Sequence, residues 1–113
     1  MKKIQLTCAH AIVKYLISQK ILVDCKKLPL FAGAFGIFGH GNVACLGQAL
    51  EENQKDLPTW RGHHEQNMAL TGIAFSRAKR RKQIFVATSS VGPGSTNMLT
   101  AAAVAMSLSL IHI

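Results

Sequence analysis

A parallel α/β domain with helices on both faces of its sheet is the fold class that this 113-residue sequence predicts. Three observations carry that expectation. Strand, loop and helix patterns follow one another three times, the order of an α/β sheet and not of a sandwich or a bundle. The strand candidate 84–88 is a continuous apolar run, as expected where helices cover both faces. The chemically distinctive residues gather on three loops, 38–42, 62–65 and 89–97, each after a strand, and open sheets of this kind bind ligands outside the carboxyl ends of their strands.

Taken in order, Thr7 is placed to cap a first helix running to about Gln19. Its Ile12, Tyr15, Leu16 and Gln19 recur at helical steps and define one face. Residues 24–29 read as a polar connection. Residues 31–38 read as the first buried strand, with Gly33 and Gly36 inside it. Gly39-His40-Gly41-Asn42 follows, with Asn42 as N-cap of a second helix through Val43, Leu46, Ala49 and Leu50 to about Glu52. Residues 57–61 form a short strand. The third helix spans His64 to about Lys79 and carries Met68, Ala69, Gly72, Ile73 and Phe75. Arg77, Lys79, Arg80 and Arg81 sit at its C-terminal end, where the helix dipole favours cations. Residues 84–88 are the third strand, and the Ala-rich stretch 97–107 is strongly helical. A further apolar strand is expected after Met106, where the chain instead reads Ser-Leu-Ser-Leu-Ile-His-Ile. The expectation is one incomplete domain over 1–106 and an atypical tail at 107–113, open to a non-native origin.

Composition narrows the function classes. With 49% hydrophobic residues the chain can bury a core, and its one Trp, one Tyr and five Phe make that core mostly aliphatic. The formal charge of +8 invites an acidic partner. Much of it lies in the run 77–82, which no aromatic residue interrupts, so a single-strand nucleic-acid surface is disfavoured and a solvated helix end is expected. Cys8, Cys25 and Cys45 are odd in number and lack C-x-x-C spacing. They argue against a disulfide framework or a zinc site, fit a reducing cytoplasm, and read as core fillers. Lys2 and Lys3 precede an apolar stretch, but His10, Lys14 and Lys20 break it, so a signal peptide is rejected. The apolar run 98–111 is shorter than the ~18 residues a membrane span needs, so no membrane is expected.

Two motifs carry chemistry, and each has a plain structural reading. In His64-Glu65-Gln66 a glutamate in a helix's first turn simply suits the dipole. In Ser90-Val91-Gly92-Pro93-Gly94-Ser95-Thr96-Asn97, the plain reading is that Gly92 and Gly94 only supply unusual backbone angles. No Gly-Lys-Ser/Thr ending and no G-x-G-x-x-G is present, so classical nucleotide binding is disfavoured. His40, between two glycines, is open to substrate contact or to a spacer role. His40, His63 and His64 match no zinc spacing, so no metal ligand is assigned.

Phe38-Gly39-His40-Gly41, His64-Glu65-Gln66 and Ser90 through Asn97, in that order and at those separations, resemble the N-terminal pyrimidine-binding domain of the acetolactate-synthase-like thiamine-diphosphate enzymes. The likeness covers roughly residues 6–106. The form of the loop 37–43 and of Ser-Val-Gly-Pro-Gly is closer to a branch that hydrolyses a C–C bond of a cyclic diketone in inositol catabolism. Asn67 departs from the glycine usual after Glu-Gln. The resemblance implies a three-layer α/β/α fold and a cofactor, thiamine diphosphate, contacted by Gly41, Glu65, Ser90, Pro93 and Asn97. It implies that Glu65 hydrogen-bonds the pyrimidine ring and so promotes loss of the thiazolium C2 proton, with His40 on the substrate. It also implies Mg2+ held with the diphosphate by a later domain, whose Gly-Asp-Gly…Asn signature is absent here, and a small-molecule substrate. The full-length protein is implied to be a homo-oligomer, at least a dimer, with the cofactor between subunits. Alternatives are a carboligase or decarboxylase of the same family, and a non-catalytic α/β domain that binds acidic partners through residues 77–82.

Overall fold

Residues 3–110 of the chain are described in the computed structural model. In chain order the elements are α1 (Cys8–Ser18), β1 (Lys20–Val23), β2 (Lys26–Pro29), β3 (Phe31–Gly36), α2 (Gln48–Glu52), β4 (Thr59–Arg61), α3 (Glu65–Ala78), β5 (Ile84–Thr88), α4 (Pro93–Asn97) and α5 (Leu99–Ser107). A 3-10 turn, His40–Asn42, and a π-helical turn, Val43–Gly47, lead into α2. β3 is central, with β4 and β5 parallel to it on either side. The expected parallel sheet is therefore present.

Its faces are chemically different. Ala34 of β3 packs in one cluster with Val13 of α1, Ala49 and Leu50 of α2, and Leu57, and Val86 of β5 lies against that cluster. This face is aliphatic, as the composition implied. On the other face the stacked rings of Phe35 and Phe85, with centroids 4.7 Å apart, meet Trp60 and the edge of Phe75 on α3. That layer is aromatic, which the low aromatic content had not led us to expect. Gly33 lies beneath it, and a Cβ there would collide with the Trp60 ring, the Phe85 ring and the Pro58 carbonyl. Helices on both faces give the three-layer α/β/α arrangement.

Several expectations are corrected. The stretch 24–29 is not a plain connection: β1 and β2 form an antiparallel hairpin of their own, turning through Asp24 and Cys25, both at positive φ. The hairpin is tied to the body by Gln83 Nε2, which donates to the Pro29 carbonyl at 3.0 Å. On α1 the buried position is Val13, with Leu16 and Ile17 half-buried, while Ile12 and Tyr15 are exposed. The apolar stripe is thus rotated from the one inferred, because several aliphatic residues in succession left its centre ambiguous. Asn42 is helical in backbone and makes no capping bond, since the chain enters α2 through the 3-10 and π turns and not from an extended residue. Cys8, Cys25 and Cys45 are all exposed and not core fillers. The last helical stretch starts earlier than expected, at Pro93, and is interrupted at Met98 between α4 and α5. Of the segment 107–113, Ser107 closes α5 and 108–110 form a turn, while 111–113 lie outside the described residues. Among the described residues no helix is long and apolar enough to cross a membrane.

A hydrogen bond ties α1 to α2. His10 Nε2 lies 2.8 Å from Glu52 Oε2, and Thr7 Oγ1 lies 2.7 Å from His10 Nδ1. The hydrogen bond from His10, and then that from Gln48, hold the Glu52 carboxyl below its ordinary 4.5. A carboxylate with a lowered folded pKa stabilises the fold above its unfolded value, and that contribution is lost as pH falls through the folded value. Glu52→Gln should therefore lower the melting temperature slightly at neutral pH and make it less sensitive to acidification below about pH 4.5. Parallel melting curves of the two proteins across that range would contradict the pairing.

Candidate active site

The site is built at the carboxyl end of the sheet. β3 ends at Gly36, where Phe38 folds its ring back over the glycine so closely that a Cβ there would collide with it. The Ile37 N–H donates to Thr88 O at 3.1 Å, so the loops leaving β3 and β5 start side by side. They stay together: a Cβ on Gly39 would stand 3.3 Å from Cβ of Ser90. On the other side the Gly62 N–H donates to Gly36 O at 3.2 Å, which brings in the loop after β4. The three loops singled out in the sequence thus converge at one end.

His64 is extended and forms the N-cap position of α3, so Glu65 is the helix's first residue. Its carboxylate is half-buried and points at the β5 loop, where Ser90 Oγ donates to Glu65 Oε1 at 3.0 Å. The loop is braced from within: Ser95 Oγ donates to Ser90 O at 2.9 Å and lies 2.9 Å from Ser89 Oγ. Gly92 has φ 63°, which L side chains rarely adopt, and it sets the turn into α4 with Pro93 at that helix's first position. Gly94 serves differently. A Cβ there would overlap Ser90 Oγ and Glu65 Oε1. The second glycine exists for close approach of the carboxylate and not for its backbone angle. Asn97, at the end of α4, sets Nδ2 3.2 Å from His64 Nε2.

The electrostatics favour the ionised carboxylate. A hydrogen bond from its own backbone N–H is the largest influence and lowers the Glu65 pKa below 4.5; partial burial opposes it, and Ser90, Asn97 and the His64 charge add to the lowering. The balance between burial and the helix start, expected from the sequence, falls on the side of ionisation in this chain.

Of the six residues nominated from the sequence, Glu65 and Ser90 are joined directly, Asn97 reaches the neighbouring His64, and Pro93 opens the helix that carries Asn97. His40 and Gly41 stand apart in the 3-10 turn after β3. His40 is exposed with φ 52°, and a Cβ on Gly41 would meet open space. Among the described residues no hydrogen bond joins either to Glu65 or Ser90. Asn67, the departure at the helix start, is exposed and fits without conflict, its carbonyl accepting from Thr71 Oγ1 at 2.8 Å. Sequence reasoning missed the bracing by Ser95, the steric role of Gly94 and the link from His64 to Asn97. Only His64 had a legible signal, since it directly precedes the first helical residue.

Residues 7–113 match the family described as thiamine pyrophosphate enzyme, N-terminal TPP binding domain. The chain is similar to proteins named 3D-(3,5/4)-trihydroxycyclohexane-1,2-dione hydrolase. It is 53% identical over 105 residues to the one from Geobacillus thermodenitrificans (strain NG80-2). It is 50% identical over 105 residues to those from Clostridium tetani (strain Massachusetts / E88) and Bacillus thuringiensis (strain Al Hakam). Each alignment covers 93% of this chain and 16% of the relative, so the chain spans about a sixth of the length of the proteins it matches.

Proposed function

The chain belongs to the thiamine pyrophosphate enzymes, as their N-terminal TPP-binding domain, and from that premise we propose that it serves a C–C hydrolase opening the ring of 3D-(3,5/4)-trihydroxycyclohexane-1,2-dione. One observation carries the chemical half of the reading. A carboxylate at a helix start, Glu65, is held by Ser90 against a glycine whose missing Cβ makes the room. The name borne by the relatives supports the substrate half, together with the Gly39-His40-Gly41 loop.

The residues present fit the pyrimidine end of thiamine diphosphate. Ser90 engages Oε1, and no side-chain donor among the described residues holds Oε2. A flat heteroaromatic ring whose nitrogen can carry a proton suits such an acceptor. Thiamine diphosphate, when bound, supplies an electron sink for cleaving the bond between two carbonyl carbons. The domain's part is to hold a proton at Glu65 against the ring nitrogen. Covering the half-buried carboxylate removes water and pushes its pKa upward, against the bonds that now lower it, toward the range where a proton can be shared. Gly41, Pro93 and Asn97 belong to the proposed cofactor surface, and His40 to the substrate side. Mg2+ with the diphosphate on a later part of the longer protein, a second subunit completing the site, and a cytoplasmic location belong to the same proposal.

Calorimetry tests the division of labour. With Mg2+ present the 113-residue chain should bind thiamine diphosphate only weakly, because it carries no diphosphate-holding motif. Sub-micromolar affinity would contradict this. A second test concerns His40. In the full-length enzyme, His40→Ala should lower turnover of the cyclic diketone by on the order of tenfold to a hundredfold and leave cofactor affinity unchanged. Unaltered kinetics would make His40 a spacer.

A further inference from the structure

The β1–β2 hairpin leaves leucines in solvent among lysines. Asp24 and Cys25 close it in a two-residue turn, and its register sets Leu22 opposite Lys27 and Lys20 opposite Pro29. Side chains paired across a ladder share a face, so Lys20, Leu22 and Lys27 stand together. Leu22 is 67% exposed, and Leu28, on the opposite face, is 37% exposed. Two strands alone are marginal in water, and a third strand or a packed helix completes such a unit. Among the described residues β1 has no neighbour on its other side, so the backbone groups of that edge are open to a further strand.

A second basic segment lies beside the hairpin. Lys82 Nζ is 3.8 Å from Asp24 Oδ2, and the Ile84 N–H donates to Leu30 O at 3.0 Å. With the bond from Gln83 to the Pro29 carbonyl, these contacts set the exposed Arg80 and Lys82 next to the hairpin, at the amino end of the sheet. The three loops of the candidate site are at the other end. Asp24 is the only acidic residue in either 20–29 or 77–83, and its exposed pairing with Lys82 is weak.

Charge and the exposed Leu22 together select the partner. A second copy of the chain would bring the same lysines against these, and like charges repel. Nucleic acid would match the charge, but neither segment has an aromatic ring to stack on a base, and a phosphate backbone leaves Leu22 uncovered. An extended polypeptide with acidic and apolar side chains on one face meets both demands. We propose that the free edge of β1 docks an acidic, extended segment of a partner protein. The segment adds as a third strand, sets an apolar side chain on Leu22 and places its carboxylates among Lys20, Lys27, Arg80 and Lys82. This surface does not depend on the reading of Glu65.

The test uses the full-length enzyme and a labelled peptide of about ten residues that repeats Glu-Thr-Val-Thr, followed by fluorescence anisotropy. Binding is expected, and it should weaken several-fold as salt rises from about 50 to about 200 mM. Lys20→Glu combined with Lys27→Glu should weaken it about tenfold or more, and Leu22→Ser about threefold or more. The same peptide N-methylated along its backbone cannot add as a strand and should not bind, a control that leaves the protein unaltered. No binding, equal affinity for the N-methylated peptide, or variants that bind like wild type would overturn the proposal. A DNA duplex that binds more tightly than the peptide at the same salt overturns it in favour of nucleic acid. Protection of Lys20 and Lys27 from acetylation in the full-length enzyme without peptide also overturns it, since the enzyme's own later chain would then cover the hairpin.

Discussion

Gly94→Ala, in the full-length enzyme, is expected to leave a folded protein whose C2 proton exchange is slowed on the order of a hundredfold. The added methyl group falls on Ser90 Oγ and Glu65 Oε1, so one or both must move. Gly94 is buried within α4, and Ala is the better helix former by about 1 kcal/mol, which offsets part of the steric cost. Stability should therefore change little while the carboxylate is displaced, and a displacement near 1 Å is enough for a loss of about that size. Gly92→Ala is the natural comparison. Nothing lies within 4 Å of its Cβ position, but its φ of 63° is strained for any side chain. That variant should lose stability, about 1–3 kcal/mol, with a smaller effect on exchange. Melting temperature and exchange rate measured on both variants separate the two roles. An exchange rate unaffected by Gly94→Ala would mean that the carboxylate does not need its present place.

The sheet and its three loops were legible because continuous apolar runs such as 84–88 fit only a strand covered on both faces. The motif residues were legible as types: an acid at a helix start and glycines at a turn. What was not legible is what depends on distance across the chain. Nothing local to Gly94 says that Glu65, on another helix, needs its missing Cβ. The β1–β2 hairpin was hidden because Lys26, Lys27 and Pro29 are exposed on a strand with no buried face, so no alternation marks it. Val13 lost to Ile12 and Tyr15 as the centre of the α1 stripe because burial there is set by α2, a partner not inferable from α1 alone. The cysteines were misplaced on average tendency, which says nothing about the hairpin turn at Cys25 or the π-helical turn at Cys45.

Glu65→Gln bears on the largest effect and on the central claim. Gln has nearly the shape of Glu and can accept Ser90's hydrogen bond through its amide oxygen, so the loop and the start of α3 should keep their arrangement. The loss is of a group able to share a proton with the pyrimidine nitrogen. General acid–base assistance is worth on the order of a hundred- to ten-thousand-fold in rate. The most direct measurement is hydrogen–deuterium exchange at C2 of the bound cofactor in the full-length enzyme, read by NMR after acid quench, with the melting temperature taken alongside. Exchange slowed by about that factor at nearly unchanged stability is the expected result. Exchange as fast as in wild type would contradict it and leave Glu65 a helix-start residue with no part in the chemistry.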